Sequence, residues 1–367
     1  MSGYLESLDL RWTKITQEGV ARLQQALPDQ TIIPNAQSMT TIAITMGDAA
    51  GVGPEIIAGA WKQLQTIPDC RIAVYGHSEV MRRAAALRKV DAAIDCVNCC
   101  ADDVCEVPPG KIDARSGHAA YSAILQAIDD AKQHVVDAVV TAPIHKAALH
   151  QAGYHYPGHT EIFAEQCGVE NFVMMLYLGA GENLAGQHGL AVVHVTLHTA
   201  MKTIFEQITV ESVLDKIRLV DGFMRKIISS RYAGVPRIGV CPLNPHAGEE
   251  GLFGDEEIRI IRPAIGKATA EGLLAEGPKP ADTIMIDARD GKYDAVVAMF
   301  HDQGHIALKL LGMYRAVNIT LGLPIVRTSV AHGTAFDKAW QGVADTGSLI
   351  EAVRVAVKLC KSTESAA

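Results

Sequence analysis

The 367-residue chain reads as an α/β fold with mostly parallel strands. Three observations carry that reading. From Thr41 onward, short apolar runs alternate with amphipathic stretches: TIAIT, GDAAGVGPEIIAGAWKQL, RIAVYG, then SEVMRRAAALRKV. A βαβ alternation of this kind builds a parallel sheet. Several of the apolar runs end in polar or glycine-rich turns, where open α/β sheets place their ligands. The length exceeds one ordinary compact core and implies about two domains.

Each element follows from its residues. Residues 1–40 space Leu5, Leu8, Leu10, Ile15, Val20, Leu23 and Leu27 in a pattern that resembles one leucine-rich repeat. One repeat cannot bury its own face, so this piece is expected to be an appendage. TIAIT is a strand, and Pro54 near the start of the next stretch opens a helix. RIAVYG (71–76) is a second strand, and 91–110 is irregular. A helix is expected over 116–134, then a strand and turn over 136–153, then a helix at 158–168 with Thr160 as N-cap. FVMMLYLG and LAVVHVTLH are strands or one hairpin, and 208–229 is a helix. RIGVCPLNP and DAVVAMF are further strands, and AHGTAFDKAW places Gly333 and Thr334 in a turn before a helix.

Composition narrows the function. Hydrophobic residues make up 49% and charged residues 20%, as in a soluble globular protein. A net charge of −8 argues against nucleic acid or an anionic membrane as partner, yet leaves room for a small anionic substrate. No apolar run spans a bilayer and the N-terminus has no apolar signal region, so a cytoplasmic location is expected. Eight cysteines fit that location as free thiols. Cys96, Cys99, Cys100 and Cys105 lack the paired C-x2-C spacing of zinc or iron–sulfur sites. They are expected on a surface segment or an edge strand.

The chemistry-bearing residues concentrate between Phe300 and Asp345. Three histidines stand beyond strand ends: His194 after LAVV, His246 after RIGVCPLNP and His301 after DAVVAMF. Three imidazoles on separate strands suit zinc or cobalt with one position left open, and magnesium with water ligands is a third option. Lys309 and Arg327 form a second constellation, an anion clamp for phosphate or carboxylate. His159 and Thr160 at a helix start add donors at the positive end of the dipole. GDAAGVGPE is neither the Rossmann fingerprint nor a Walker A loop.

GDAAGVGPE, TAPIHK, GHTE, LNPHAGEEGLFGDEE, ADT, HDQG, NITLGLPIVRTS and HGTA occur in this order. Together they resemble the 4-hydroxythreonine-4-phosphate dehydrogenase family of vitamin B6 biosynthesis, from Thr41 to the C-terminus. The resemblance implies a two-domain fold similar to the isocitrate and isopropylmalate dehydrogenases, with a cleft between domains. The division expected is 41–140 plus 310–367 on the cofactor side, and 141–309 on the metal and dimer side. It implies a divalent metal on His194, His246 and His301. It implies substrate contacts at His159, Thr160, Lys309, Asn318 and Arg327, and a homodimer with a shared active site. The implied cofactor is NAD or NADP, held by Gly333, Thr334 and Ala335, with Gly47 and Asp48 as a second contact. The implied reaction oxidises the 3-hydroxyl of 4-phosphohydroxythreonine to a 3-oxo acid, which decarboxylates to 3-amino-2-oxopropyl phosphate. Asp302, Asp282 and Lys309 are the candidate bases.

The chain departs from the family pattern at four places. Ala49 replaces a proline, Ala331 an aspartate and His198 an arginine, and His305 follows HDQG. The HDQGH variant resembles a second branch that oxidises 4-phospho-D-threonate or 4-phospho-D-erythronate. A zinc hydrolase or aldolase would need a base beside metal-bound water, and no H-E-x-x-H motif is present. A purely partner-binding protein would rest on residues 1–40 alone.

Overall fold

A computed structural model describes residues 7–9, 22, 26, 31–33, 39–228 and 234–364. The repeat-like reading of 1–40 falls mostly outside the described residues. Within them, β1 (Ser7–Asp9) pairs in parallel with β2 (Thr31–Ile33).

An eleven-stranded sheet organises the rest. Its strands are β3 (Thr40–Thr45), β4 (Cys70–Gly76), β5 (Cys96–Asn98), β6 (Ala138–Thr141), β7 (Val173–Leu178), β8 (Leu190–His194), β9 (Arg237–Val240), β10 (Leu274–Glu276), β11 (Ala295–Ala298), β12 (Ala316–Leu321) and β13 (Val326–Val330). The order is β10-β9-β11-β8-β7-β12-β13-β6-β3-β4-β5. Pairing is parallel at both flanks and antiparallel at β8-β7, β7-β12 and β12-β13. Two parallel blocks therefore run in opposite directions and meet at β7, β12 and β13. The hairpin reading of β7 and β8 agrees with this pairing. Strands covered on both faces read as continuous apolar runs: Ile42, Ala43 and Ile44 of β3 are all fully buried.

The helices are α1 (Gly53–Leu64), α2 (Ser78–Leu87), α3 (Ala114–Lys132), α4 (Lys146–Gln151), α5 (His159–Cys167), α6 (Ile204–Gln207), α7 (Val210–Ile228), α8 (Arg262–Ala270), α9 (Ala281–Arg289), α10 (His301–Gly312) and α11 (Gly347–Glu364). Pro54 sits in the first turn of α1, and Ile56, Ile57, Ala60, Trp61 and Leu64 form its buried stripe. Buried Glu55 accepts the Ala344 N–H at 2.9 Å and faces Arg88, which ties α1 to the segment before α11. No helix follows HGTA directly, contrary to the sequence expectation; α11 begins only at Gly347. Ala335 and Trp340 adopt positive φ, and the Trp340 indole N–H donates to the Ala49 carbonyl, so the chain between them is pinned as a loop.

Cys96 lies on β5, at the edge of the sheet, and all eight thiols are free. No described helix is long and apolar enough to cross a membrane.

The GDAAGVG turn is built for close packing. Gly47 has φ +74°, and a Cβ there would collide with the Pro143 carbonyl oxygen. Gly47→Ala is therefore expected to destabilise the fold by about 1–3 kcal/mol, read as a lower denaturation midpoint. An unchanged midpoint would show that the turn relaxes freely.

Candidate active site

The centre of the sheet forms the floor of a cavity of about 740 Å³. Its polar character follows from register and alternation. β13 pairs with β6 so that Arg327 faces Val139 and Ser329 faces Thr141; β12 pairs with β13 so that Asn318 faces Ser329. With a side-chain period of two, Thr141, Asn318, Thr320, Arg327 and Ser329 share one sheet face.

Arg327 is the most unusual group there. It is 2% exposed, yet its only hydrogen-bond acceptors among the described residues are two neutral hydroxyls, Thr320 Oγ1 at 2.9 Å and Thr141 Oγ1 at 2.7 Å. Its Nε is buried without a partner. The guanidinium lies 5.4 Å from the centre of the Phe163 ring. Burial pulls its pKa down to about 9, with Glu161 opposing. Beside it, Asn318 Oδ1 and His159 Nε2 are also buried and unpartnered. Burial first, and Arg327 second, hold His159 well below the ordinary histidine pKa, so its imidazole is neutral. Each unmet buried polar group costs about 1–3 kcal/mol. Arg327 Nε is an unmet donor that an oxyanion completes, and turning the Asn318 amide over would present its NH2 to the same anion.

Helix α5 begins at His159 with Gly158 as N-cap; Thr160 is its second residue and does not cap it, contrary to the sequence expectation. Gly158 takes the extended backbone conformation that ends the preceding loop, and Thr160 lines the cavity.

The opposite wall is a cluster of histidines. β8 and β11 pair in register, His194 against Ala298, so their carboxyl ends deliver His194, His301 at the start of the next helix and His305 one turn into it. His301, His305 and Lys309 are spaced i, i+4, i+8 and share one face of α10. The rings of His301 and His305 stack at 3.9 Å, and His194 lies 4.6 Å from His305 and 6.4 Å from His301. His305 Nδ1 is 3.1 Å from His194 Nε2. His301 Nδ1 donates to Asp302 Oδ1 at 2.7 Å, which orients the ring. Burial holds His194 well below the ordinary pKa and His305 at about 4, so both are neutral.

Neutral imidazole is the metal-binding form, and His194 Nδ1 is buried without a partner. The donors present therefore suit a borderline divalent cation such as zinc. His246 is not with them. It is exposed on the loop Pro245–Gly251, whose residues 246–250 all adopt positive φ. Among the described residues no set of three His, Cys, Asp or Glu side chains is arranged to hold a metal ion.

Residues 68–356 match the protein family described as pyridoxal phosphate biosynthetic protein PdxA. The chain belongs to the PdxA family. It is 45% identical to the 4-hydroxythreonine-4-phosphate dehydrogenase of Beijerinckia indica, over 87% of this chain and 94% of that one. It is 40% identical to the D-threonate 4-phosphate dehydrogenase of Salmonella typhimurium, over 87% of this chain and 98% of that one. The crystal structure of the 4-hydroxythreonine-4-phosphate dehydrogenase of Klebsiella pneumoniae superposes with a TM-score of 0.74 at 39% identity, covering 89% of this chain and 99% of that one. This PdxA-family chain is thus an oxidoreductase with an α/β fold and a large, mostly parallel sheet.

Of the other residues singled out in this PdxA-family sequence, Lys309 lines the cavity and Asp282 does not. Asp282 is exposed at the start of α9, and Asp302 is engaged by His301. Gly333 lines the cavity, with open space where a Cβ would stand. Thr334 is buried beneath it, its carbonyl accepting the Val52 N–H. Ala335 packs half-buried against the core. Gly47 and Asp48 do not reach the cavity. Asp48 is fully buried, bonded to Ser116 Oγ and the Ala50 N–H, and burial raises its pKa. Those bonds hold the turn together from within. Lys146, Glu161 and Lys216 also line the cavity and went unread in the sequence. Lys146 and Glu161 close the TAPIHK and GHTE motifs, where only the neighbouring His159 and Thr160 suggested a role; Lys216 is an isolated charge on α7, with no motif to separate it from a solvated surface residue.

Proposed function

We propose that the chain is a metal-dependent NAD(P) oxidoreductase of a small phosphorylated hydroxy acid. The single observation that carries this reading is Arg327: a buried guanidinium without an anionic partner, across the cavity from the histidine cluster. A phosphate placed there accepts from Arg327, with Asn318, Thr160 and His159 around it. That contact anchors the substrate and sets its secondary alcohol toward His194 and His301. A divalent cation on those imidazoles would polarise the alcohol, and a nicotinamide near Gly333 would accept hydride. Lys309 is the one of the three candidate bases that lines the cavity, and we assign the hydroxyl proton to its amine.

Two acids fit the class. The lining residues include one carboxylate, Glu161, against Lys146, Lys216, Lys309 and Arg327. An ammonium at C2, as in 4-phosphohydroxythreonine, would meet few acceptors there. A hydroxyl at C2 meets His198 and His305 and adds no positive charge. This favours 4-phospho-D-threonate or 4-phospho-D-erythronate, with 4-phosphohydroxythreonine as the second reading. Nicotinamide reduction with the three compounds in parallel tests the choice. Preference for the amino acid would reverse it, and inertness toward all three would remove the substrate class.

We further propose that the site is completed in a homodimer. His246 is exposed beside Leu252 (71% exposed) and Phe253, while α10, which carries His301, exposes Ile306 and Leu310 (82%). Apolar side chains on both the His246 loop and the His301 helix suit an interface in which one copy's His246 joins the other's His194 and His301.

A further inference from the structure

The cavity carries more positive charge than one phosphate neutralises. Arg327 is assigned to the phosphate and Lys309 to the hydroxyl proton, but Lys146 and Lys216 line the same space. Lys146 is exposed at the start of α4, where water solvates its amine. Lys216 is different. It projects from the middle of α7, is half-buried, and makes no hydrogen bond or ion pair among the described residues. Both arginines of that helix are paired, Arg218 with Glu271 and Asp215 and Arg225 with Asp221, while Lys226 is exposed. Asp215, the acid nearest in sequence, is thus already engaged. Burial lowers the Lys216 pKa, with the Asp215 charge opposing.

We propose that Lys216 binds the carboxylate of the substrate while Arg327 binds its phosphate. This rests on the phosphorylated hydroxy acid reading above and deepens it. A half-buried ammonium without a partner is costly, and an arriving carboxylate offsets that cost. The cofactor pyrophosphate is a poorer match. Pyrophosphates favour backbone N–H groups at glycine turns and helix N-termini, whereas Lys216 supplies one point charge well inside a helix.

The test is calorimetric binding of two ligands to the full chain. One is 4-phospho-D-erythronate; the other is D-erythritol 4-phosphate, which replaces the carboxylate with a hydroxymethyl group. The wild type should bind the acid ~10–100-fold more tightly. Lys216→Gln and Lys216→Met should lose that preference by weakening the acid alone, with the alcohol and NAD(P) unaffected. Preference retained in both variants, or weakening of both ligands or of the cofactor instead, overturns the proposal. A wild type that binds neither compound overturns the substrate reading, and this proposal with it.

Discussion

Arg327→Met should lower kcat/KM for the phosphorylated substrate by ~10²–10³-fold, mostly through KM, because a desolvated charge-assisted contact is worth about 2–5 kcal/mol. The fold should survive. The substitution leaves Thr141 and Thr320 without their donor, which costs about 1–3 kcal/mol. It also removes a buried charge with no anionic partner, and replacing such charges with apolar groups is often neutral or stabilising by ~1–4 kcal/mol. The two effects are similar in size and opposite in sign. A second readout needs no turnover. Inorganic phosphate should raise the Tm of the wild type by mass action and leave that of Arg327→Met unmoved. Equal shifts in both proteins would sink the phosphate role, whatever the kinetics show.

The phosphate end was legible because its residue types are expensive to bury. An arginine directly after LGLPIV has no apolar reason to be there, and the structure puts it on the cavity face of β13. The partners of that arginine were harder to read. Thr320 meets it across the local β12-β13 hairpin, but Thr141 meets it only through the nonlocal pairing of β13 with β6. The antiparallel centre of the sheet was hidden for the same reason: β7 and β12 lie far apart in sequence, and no local pattern encodes their pairing.

The histidine end shows where position in sequence stops being informative. β11 pairs with β8 on one side and β9 on the other, so strand-end logic brings His194, His246 and His301 to one edge. It succeeds for His194 and His301. It fails within the chain for His246 because five consecutive positive-φ residues turn the loop outward. Such a run costs on the order of 1–3 kcal/mol per strained non-glycine residue and has no periodic signature. Glu257 holds the base of the loop by accepting the Leu243 and Asn244 N–H groups, both at 2.8 Å. His305 and Lys216 illustrate two further limits. The i, i+4 spacing of His305 from His301 was readable, but its contact with His194 depended on strand pairing. Lys216 carried no signal beyond being a charge on an amphipathic helix.

A shared site makes a reciprocal prediction about heterodimers. His246→Ala and His301→Ala should each lose activity by on the order of 10²-fold or more as homodimers, since each removes a proposed ligand from both sites. Co-expressed with two different tags and purified as a heterodimer, the two variants should regain about half the wild-type activity. One site then combines the intact His301 of the first chain with the intact His246 of the second. The other site carries both lesions. The inverse pairing should stay inactive: a chain with both substitutions, joined to a wild-type chain, spoils one ligand in each site. If each chain instead built its own site, the outcomes would exchange. The single-variant pair would be dead, and the double-variant pair would keep half the activity. The exposed placement of His246, away from His194 and His301 in its own chain, favours the first pattern.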